Sequence, residues 1–342
     1  MKNFLITATG RAEVNVPLPL ILGAGGFIGR RLALALLQRG YRVRLFDRSY
    51  SAEFTAVVEC HRSHVEIVEG NLESPAVLDR AVAGTSAVFH LLTASVPTTS
   101  PLLLDVEVNV NLPNTLRIVH AMLRAGVERI IYPSSGGAVY GEGGAGEIKE
   151  TTTLHPAGAY GMGKLLTEET LRYYRRTCGL KDLIVRISNG YGAREQNRIS
   201  QGAVDVFLHR HFEGKPVPVW GGGAAVRDYI HIDDLIEALV LLYERDIHGM
   251  EVNVGSGAGH SLMDVIAIIA RVSGRPVRIE QVEGMYSGIQ RNVLDVGLLE
   301  ATTGFRASTT LEAGVARAWD AISASAPAGL RRRHPHSLAL AG

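Results

Sequence analysis

The chain has 342 residues, 46% of them apolar and 20% charged, enough to fill a core and too little charge for a disordered chain. Lys and Arg number 35 against 34 Asp and Glu, which excludes the overall positive field that holds a nucleic acid, so any phosphate recognition is local. No stretch approaches the roughly 18 apolar residues of a membrane span. The N-terminal segment lacks the apolar core of a signal peptide, and Cys60 and Cys178 form neither a disulfide framework nor a metal pattern. These features predict a cytoplasmic protein with no membrane partner, large enough for one α/β domain and a smaller lobe.

Residues 1–17 read as an added arm. Residues 18–22 form an apolar run, Gly23-Ala24-Gly25-Gly26-Phe27-Ile28-Gly29 is rich in glycine, residues 30–39 are helix-like and residues 41–46 alternate as a strand, together a βαβ unit. Strand-like segments recur at 65–68, 87–92, 129–132 and 183–187, separated by helix-length stretches such as 112–125 and 160–177. This alternation predicts a Rossmann, doubly wound parallel sheet over residues 18–187, with 228–254 returning to it. Beyond it the glycine punctuation is denser, so 188–227 and 255–322 are assigned to a smaller C-terminal α/β substrate lobe; amphipathic helices are expected at 232–243, inside the returning segment, and at 262–272. Residues 323–342, with Arg331, Arg332, Arg333, His334 and His336, read as a solvated, flexible tail.

The glycine run has the context of a dinucleotide site. Gly23 can make the tight turn, Gly26 can let the backbone approach a pyrophosphate, Gly29 can let helix pack on strand, and the helix N-terminus supplies amides to phosphate. Asp47 ends the second strand 24 residues after Gly23, where a carboxylate accepts from ribose hydroxyls and repels a 2′-phosphate; this favours NAD over NADP, although Arg48 beside it offers a phosphate a partner. Tyr160 and Lys164 are four residues apart on a predicted helix and share a face. A fixed ammonium near a phenol favours the phenolate and makes it a usable base. Upstream, Pro133-Ser134-Ser135-Gly136-Gly137-Ala138-Val139-Tyr140-Gly141 follows a strand, at the end where α/β sheets place their sites. His231, the 60–64 cluster and His209 with His211 lack metal-ligand spacing, so no metal is assigned.

With Val88-Phe89-His90-Leu91, Arg186-Ile187-Ser188-Asn189-Gly190-Tyr191-Gly192 and Arg227-Asp228-Tyr229-Ile230-His231-Ile232-Asp233-Asp234, this series resembles the extended short-chain dehydrogenase/reductase family. Within it the chain is similar to the NAD-dependent nucleotide-sugar epimerase/dehydratases of the UDP-glucose 4-epimerase type, from residue 19 to about 319. The resemblance implies Tyr160 as base, Lys164 as the residue that holds the nicotinamide ribose and tunes Tyr160, and Ser135 as the hydroxyl that meets the sugar. It implies NAD contacts from Phe27, Ile28, Asn71, Leu72, Leu91 and Asn111 besides the glycine loop, Asp47 and Arg48. For a nucleotide-sugar substrate, expected by the same resemblance to be UDP-linked, it implies Asn189 and Arg227 at the diphosphate and Trp220 at the base. It also implies a homodimer joined by a four-helix bundle from 112–124 and 160–174.

Three departures bear on the substrate. The family's catalytic Ser/Thr position is Gly136, which leaves Ser135 one step away. The second arginine of the C-terminal lobe falls at Met285; either Arg291 substitutes from another angle, or the donor carries its phosphate differently from a standard UDP-sugar. The acid pair of the 4,6-dehydratases falls at Gly137 and Ala138, which disfavours dehydration. The expected activity is NAD-dependent 4-epimerisation of a UDP-hexose through a 4-keto intermediate. The alternatives are a nucleotide-sugar reductase or dehydrogenase, a 4,6-dehydratase, and a non-catalytic NAD-sensing protein.

Overall fold

The computed structural model describes residues 4–6, 12–14, 17–95, 104–142, 144, 146–192, 202–283 and 289–325. A hairpin of β1 (Phe4–Ile6) and β2 (Ala12–Val14) precedes the main sheet and pairs only with itself among the described strands. The main sheet holds β3 (Pro19–Leu22), β4 (Val43–Asp47), β5 (Val65–Glu69), β6 (Ala87–His90), β7 (Arg129–Ser135), β8 (Lys181–Ile187) and, later in the chain, β12 (Met250–Val254). All pairings are parallel, in the order β12-β8-β7-β6-β3-β4-β5. The order reverses between β3 and β6, and a cleft for ligand opens at such a switch point.

Parallel strands covered on both faces read as unbroken apolar runs, and β3 shows why. Its residues alternate between two cores: Ile21 packs with Phe89, Ile131 and Val185 on one face, Leu20 and Leu22 with Val88, Ile130 and Ile118 on the other. The helix Phe27–Gln38 starts earlier than the predicted residue 30, because Gly29 sits inside its first turn for packing rather than ending the loop. β7 continues through Pro133 to Ser135, beyond the predicted 132. The proline is tolerated there because its register is with β8 while β6 pairs only up to Ile131.

The remaining strands are β9 (Asn189–Tyr191), β10 (Val217–Trp220), β11 (Val226–His231), β13 (Gly259–Ser261), β14 (Ile279–Val282) and β15 (Arg291–Asn292). β11 pairs with β9, β13 and β15, and β10 with β14. A third core gathers the helices Ala203–Phe212, Leu262–Ser273 and Leu311–Ser325 around Val217, Val219 and Tyr229. The helix Ile232–Glu244 packs instead on the core of the main sheet. Chain leaving β8 thus crosses to the smaller sheet and comes back at β12.

Candidate active site

The glycine run lies at the switch point. Gly23 has φ +91, a conformation that favours glycine, and its N–H and that of Ala24 donate to the Phe46 carbonyl at 2.9 and 3.2 Å, tying the turn to β4. The Gly23 carbonyl accepts from Gly26 N at 3.0 Å. A Cβ on Gly29 would overlap that same carbonyl and the Ala24 backbone. The helix Phe27–Gln38 therefore meets the turn that follows β3 backbone to backbone, and its N-cap, Gly26, brings no capping side chain. At the end of β4 the Asp47 carboxylate accepts from Gly25 N at 2.8 Å and from Arg48 N at 2.7 Å. The sequence pattern assigns Gly25 no role, yet a Cβ there would press on Ser49 O at 2.8 Å and Asp47 Oδ2 at 3.0 Å. The cradle fits a dinucleotide: amides and a helix end for the pyrophosphate, no side chain in the way, and a fixed carboxylate for the ribose.

Leu91 forms the opposite wall; its N–H donates to Leu22 O at 2.9 Å, and a Cβ on Gly23 would meet it at 3.2 Å. Leu72 is buried, and the exposed Asn71 bonds to Glu73. Asn111 holds the turn across the cleft: its amide donates to Ser95 Oγ and Glu107 Oε2 and accepts from Ala94 N.

Tyr160 lies half-buried in the first turn of the helix Ala159–Cys178, with Lys164 one turn on. Lys164 is buried, donates to the Pro133 carbonyl at 2.9 Å, and sits 4.7 Å from the Tyr132 ring centre and 5.7 Å from that of Tyr160. Burial lowers its ammonium to about 8, against the opposing pull of Glu107 and Glu168. Burial, with Lys164 nearby, pushes His90 down to about 3, so this histidine is neutral; its Nε2 meets Thr115 Oγ1 at 3.0 Å.

The segment after β7 abuts this turn, since a Cβ on Gly161 would meet Ala138 O at 2.5 Å. Gly136 faces away from the open side: a Cβ there would press on Leu294 at 2.8 Å. Gly137 faces Asn189 Oδ1 at 3.8 Å and Ser135 Oγ at 3.9 Å, so the Ser135 hydroxyl and the Asn189 amide converge at a position with no side chain. Beneath them Ser134 donates to Glu168 at 2.5 Å, and Glu168 also accepts from Arg172 and Arg186. Arg186 donates to Tyr140 OH, which donates to Asn253. Glu168 carried a signal that sequence reasoning passed over, one helical turn beyond Lys164.

Asn189 Nδ2 donates to Asp228 O at 2.8 Å. Asp228 is fully buried and accepts from Ser256, Gly257 and Leu294. Arg227 donates to the Val226 and Ile289 carbonyls. Arg291 is in register with Val226, and Asn292 with Arg227, so the two arginines leave the sheet on opposite faces. Trp220 ends β10 and is 38% exposed. Met285 and the tail 326–342 lie outside the described residues. A cavity of about 590 Å³ beside His260, Asp264 and Arg271 contains none of the residues assigned to NAD or the sugar.

Residues 19–255 match the NAD dependent epimerase/dehydratase family, and with its Rossmann sheet and glycine cradle the chain belongs to that family, whose cofactor is NAD. The UDP-glucose 4-epimerase of Mycolicibacterium smegmatis is 28% identical over 87% of this chain and 96% of its own length. The dTDP-4-dehydro-6-deoxyglucose reductase of Escherichia coli is also 28% identical, over 86% and 94%. The UDP-glucose 4-epimerase of Thermus thermophilus, solved with NAD, superposes with a TM-score of 0.79 at 27% identity, covering 90% of this chain and 100% of that one. No helix of the described residues is long and apolar enough to cross a membrane.

Proposed function

We propose that the protein interconverts the C4 epimers of a UDP-linked hexose through a 4-keto intermediate. The observation that carries the reading is a buried Lys164 beside the Tyr160 ring, together with Gly137, which lies open next to Ser135 and Asn189 and offers no acid for dehydration. Bound NAD supplies the hydride acceptor and donor. Asp47, Arg48, Asn71, Leu72, Leu91, Asn111 and the 23–29 loop hold it across the switch point. Tyr160 as phenolate removes the proton of the sugar 4-hydroxyl and returns it after the ketone turns over in the cleft. The Lys164 ammonium favours the phenolate, and the Ser135 hydroxyl donates to the same sugar oxygen. Asn189 and Arg227 bind the diphosphate and Trp220 stacks on the uracil, whereas Arg291, on the other face of the sheet from Arg227, does not join them. The absence of a side chain at Gly137 leaves room for rotation; Gly136 adds none, because its free side is filled by Leu294.

The lobes divide as 18–187 with 228–254 for NAD, and 188–227 with 255–322 for the sugar nucleotide. Two chains associate through a four-helix bundle: on the helices Leu112–Ala125 and Ala159–Cys178, Leu123 and Tyr173 are 40% and 53% exposed, and sedimentation measures the expected dimer. The activity is tested by incubating the protein with UDP-glucose, UDP-N-acetylglucosamine and their galacto epimers without reductant and following C4 by proton NMR. Interconversion that is lost in Tyr160→Phe is expected. No interconversion of these four, together with NADH-dependent reduction of a supplied 4-keto sugar nucleotide to its 4-hydroxyl, overturns epimerisation in favour of the reductase chemistry named for the Escherichia coli relative.

A further inference from the structure

Glu107 inverts the usual sorting of side chains. Val106, Val108 and Val110 are 41%, 45% and 39% exposed, whereas Glu107 between them is 4% exposed. It opens a single π-helical turn, Glu107–Asn111, a wider turn than the α-helix and one that recurs at functional sites. The carboxylate accepts from Asn111 Nδ2 at 2.7 Å and lies against Gly163, where a Cβ would overlap it. The residue before Lys164 is therefore a gap that Glu107 fills. Glu107 and Lys164 also line one cavity of about 10 Å³ with His90, Asn111, Thr115 and Tyr132, room for one water molecule.

The groups facing Lys164 are few. His90 from β6 is neutral, Tyr132 from β7 and Tyr160 from its own helix are phenols, and two carboxylates remain, Glu107 and Glu168. Glu168 is already met by two guanidinium groups, Arg172 and Arg186. The hydrogen-bond partner of Glu107 among the described residues is the neutral amide of Asn111, and a buried carboxylate without a cation is costly. Lys164 is the cation that the arrangement supplies.

We propose that Glu107 is a positioning residue for the reaction: its buried carboxylate keeps the Lys164 ammonium charged where Tyr160 works as a base, and Gly163 is the space that admits it. This rests on the reading of Tyr160 and Lys164 as the reacting pair. Burial has already drawn Lys164 to about 8 with the carboxylate in place. Without Glu107 the proton leaves at lower pH, and a neutral amine no longer favours the phenolate.

The chain has five lysines, so carbon-13 NMR of lysine Cε resolves Lys164, assigned by its loss in Lys164→Met. The expected wild-type midpoint is near pH 8, falling by roughly one pH unit or more in Glu107→Gln. Gly163→Ala, which displaces the carboxylate without removing it, moves the midpoint the same way. The alkaline limb of kcat/KM for UDP-galactose moves down in step, while KM for the sugar nucleotide stays near wild type. An unmoved Lys164 midpoint in folded Glu107→Gln and Gly163→Ala overturns the proposal, and so does a moved midpoint with an unmoved alkaline limb. The NMR titration needs no substrate, so a failure to turn over UDP-galactose counts against the epimerase reading and is distinguished from a failure of this one.

Discussion

Replacing Gly29 by Ala tests the cradle at its tightest point. Alanine normally gains about 1 kcal/mol over glycine within a helix. Here its Cβ overlaps the Gly23 carbonyl and the Ala24 backbone, which no rotamer can relieve. Shifting that carbonyl also strains its 3.0 Å bond from Gly26 N. Overpacking of this kind costs about 1–3 kcal/mol, and backbone against backbone belongs at the upper end, so the net loss is about 2 kcal/mol. Because the helix carries the amides for the pyrophosphate, NAD affinity falls by roughly tenfold or more, each tenfold being about 1.4 kcal/mol. Gly26→Ala is the control, with its nearest contact at 3.2 Å, and remains close to wild type in stability. Thermal unfolding with and without NAD, and calorimetric titration of NAD, measure both effects. A Gly29→Ala protein with wild-type Tm and NAD affinity refutes the reasoning.

Other perturbations separate binding from chemistry. Ser135→Ala lowers kcat by roughly tenfold to a hundredfold with little change in KM, read by initial rates on UDP-galactose. Trp220→Ala raises KM by the about 1–3 kcal/mol that stacking on a base contributes and leaves kcat near wild type. Arg186→Ala strips the fully buried Glu168 of its buried partner and costs about 3–5 kcal/mol in denaturant unfolding. His90 is held at about 3 when folded against 6.5 when free, so the unfolded chain binds the extra proton and the fold loses stability as pH drops from 6.5 toward 3. His90→Gln flattens that acid limb of a Tm-against-pH curve, and an unchanged slope refutes the assignment of a buried neutral imidazole.

The main sheet was legible because its signal is local. An apolar run of four residues, a glycine turn and a helical repeat report a buried parallel strand and its crossover without knowledge of distant partners. Gly29 was legible for the same reason, since the contact it permits is with Gly23, six residues away. The Tyr160/Lys164 spacing was readable from helix geometry alone. The end of β7 was not: Pro133 argues against a strand, and only the finding that β6 stops short explains its place.

The amino-acid sequence by itself determined the fold, the glycine turn and the placing of Tyr160 and Lys164 on one helix face, because each is written in short-range spacing. Only the tertiary structure decided that Gly136 faces Leu294 while Gly137 faces Ser135 and Asn189, that Arg227 and Arg291 lie on opposite faces, and that Glu107 turns inward between exposed valines. Those outcomes depend on contacts between segments from about 40 to more than 150 residues apart, and no local pattern carries the packing that brings such segments together.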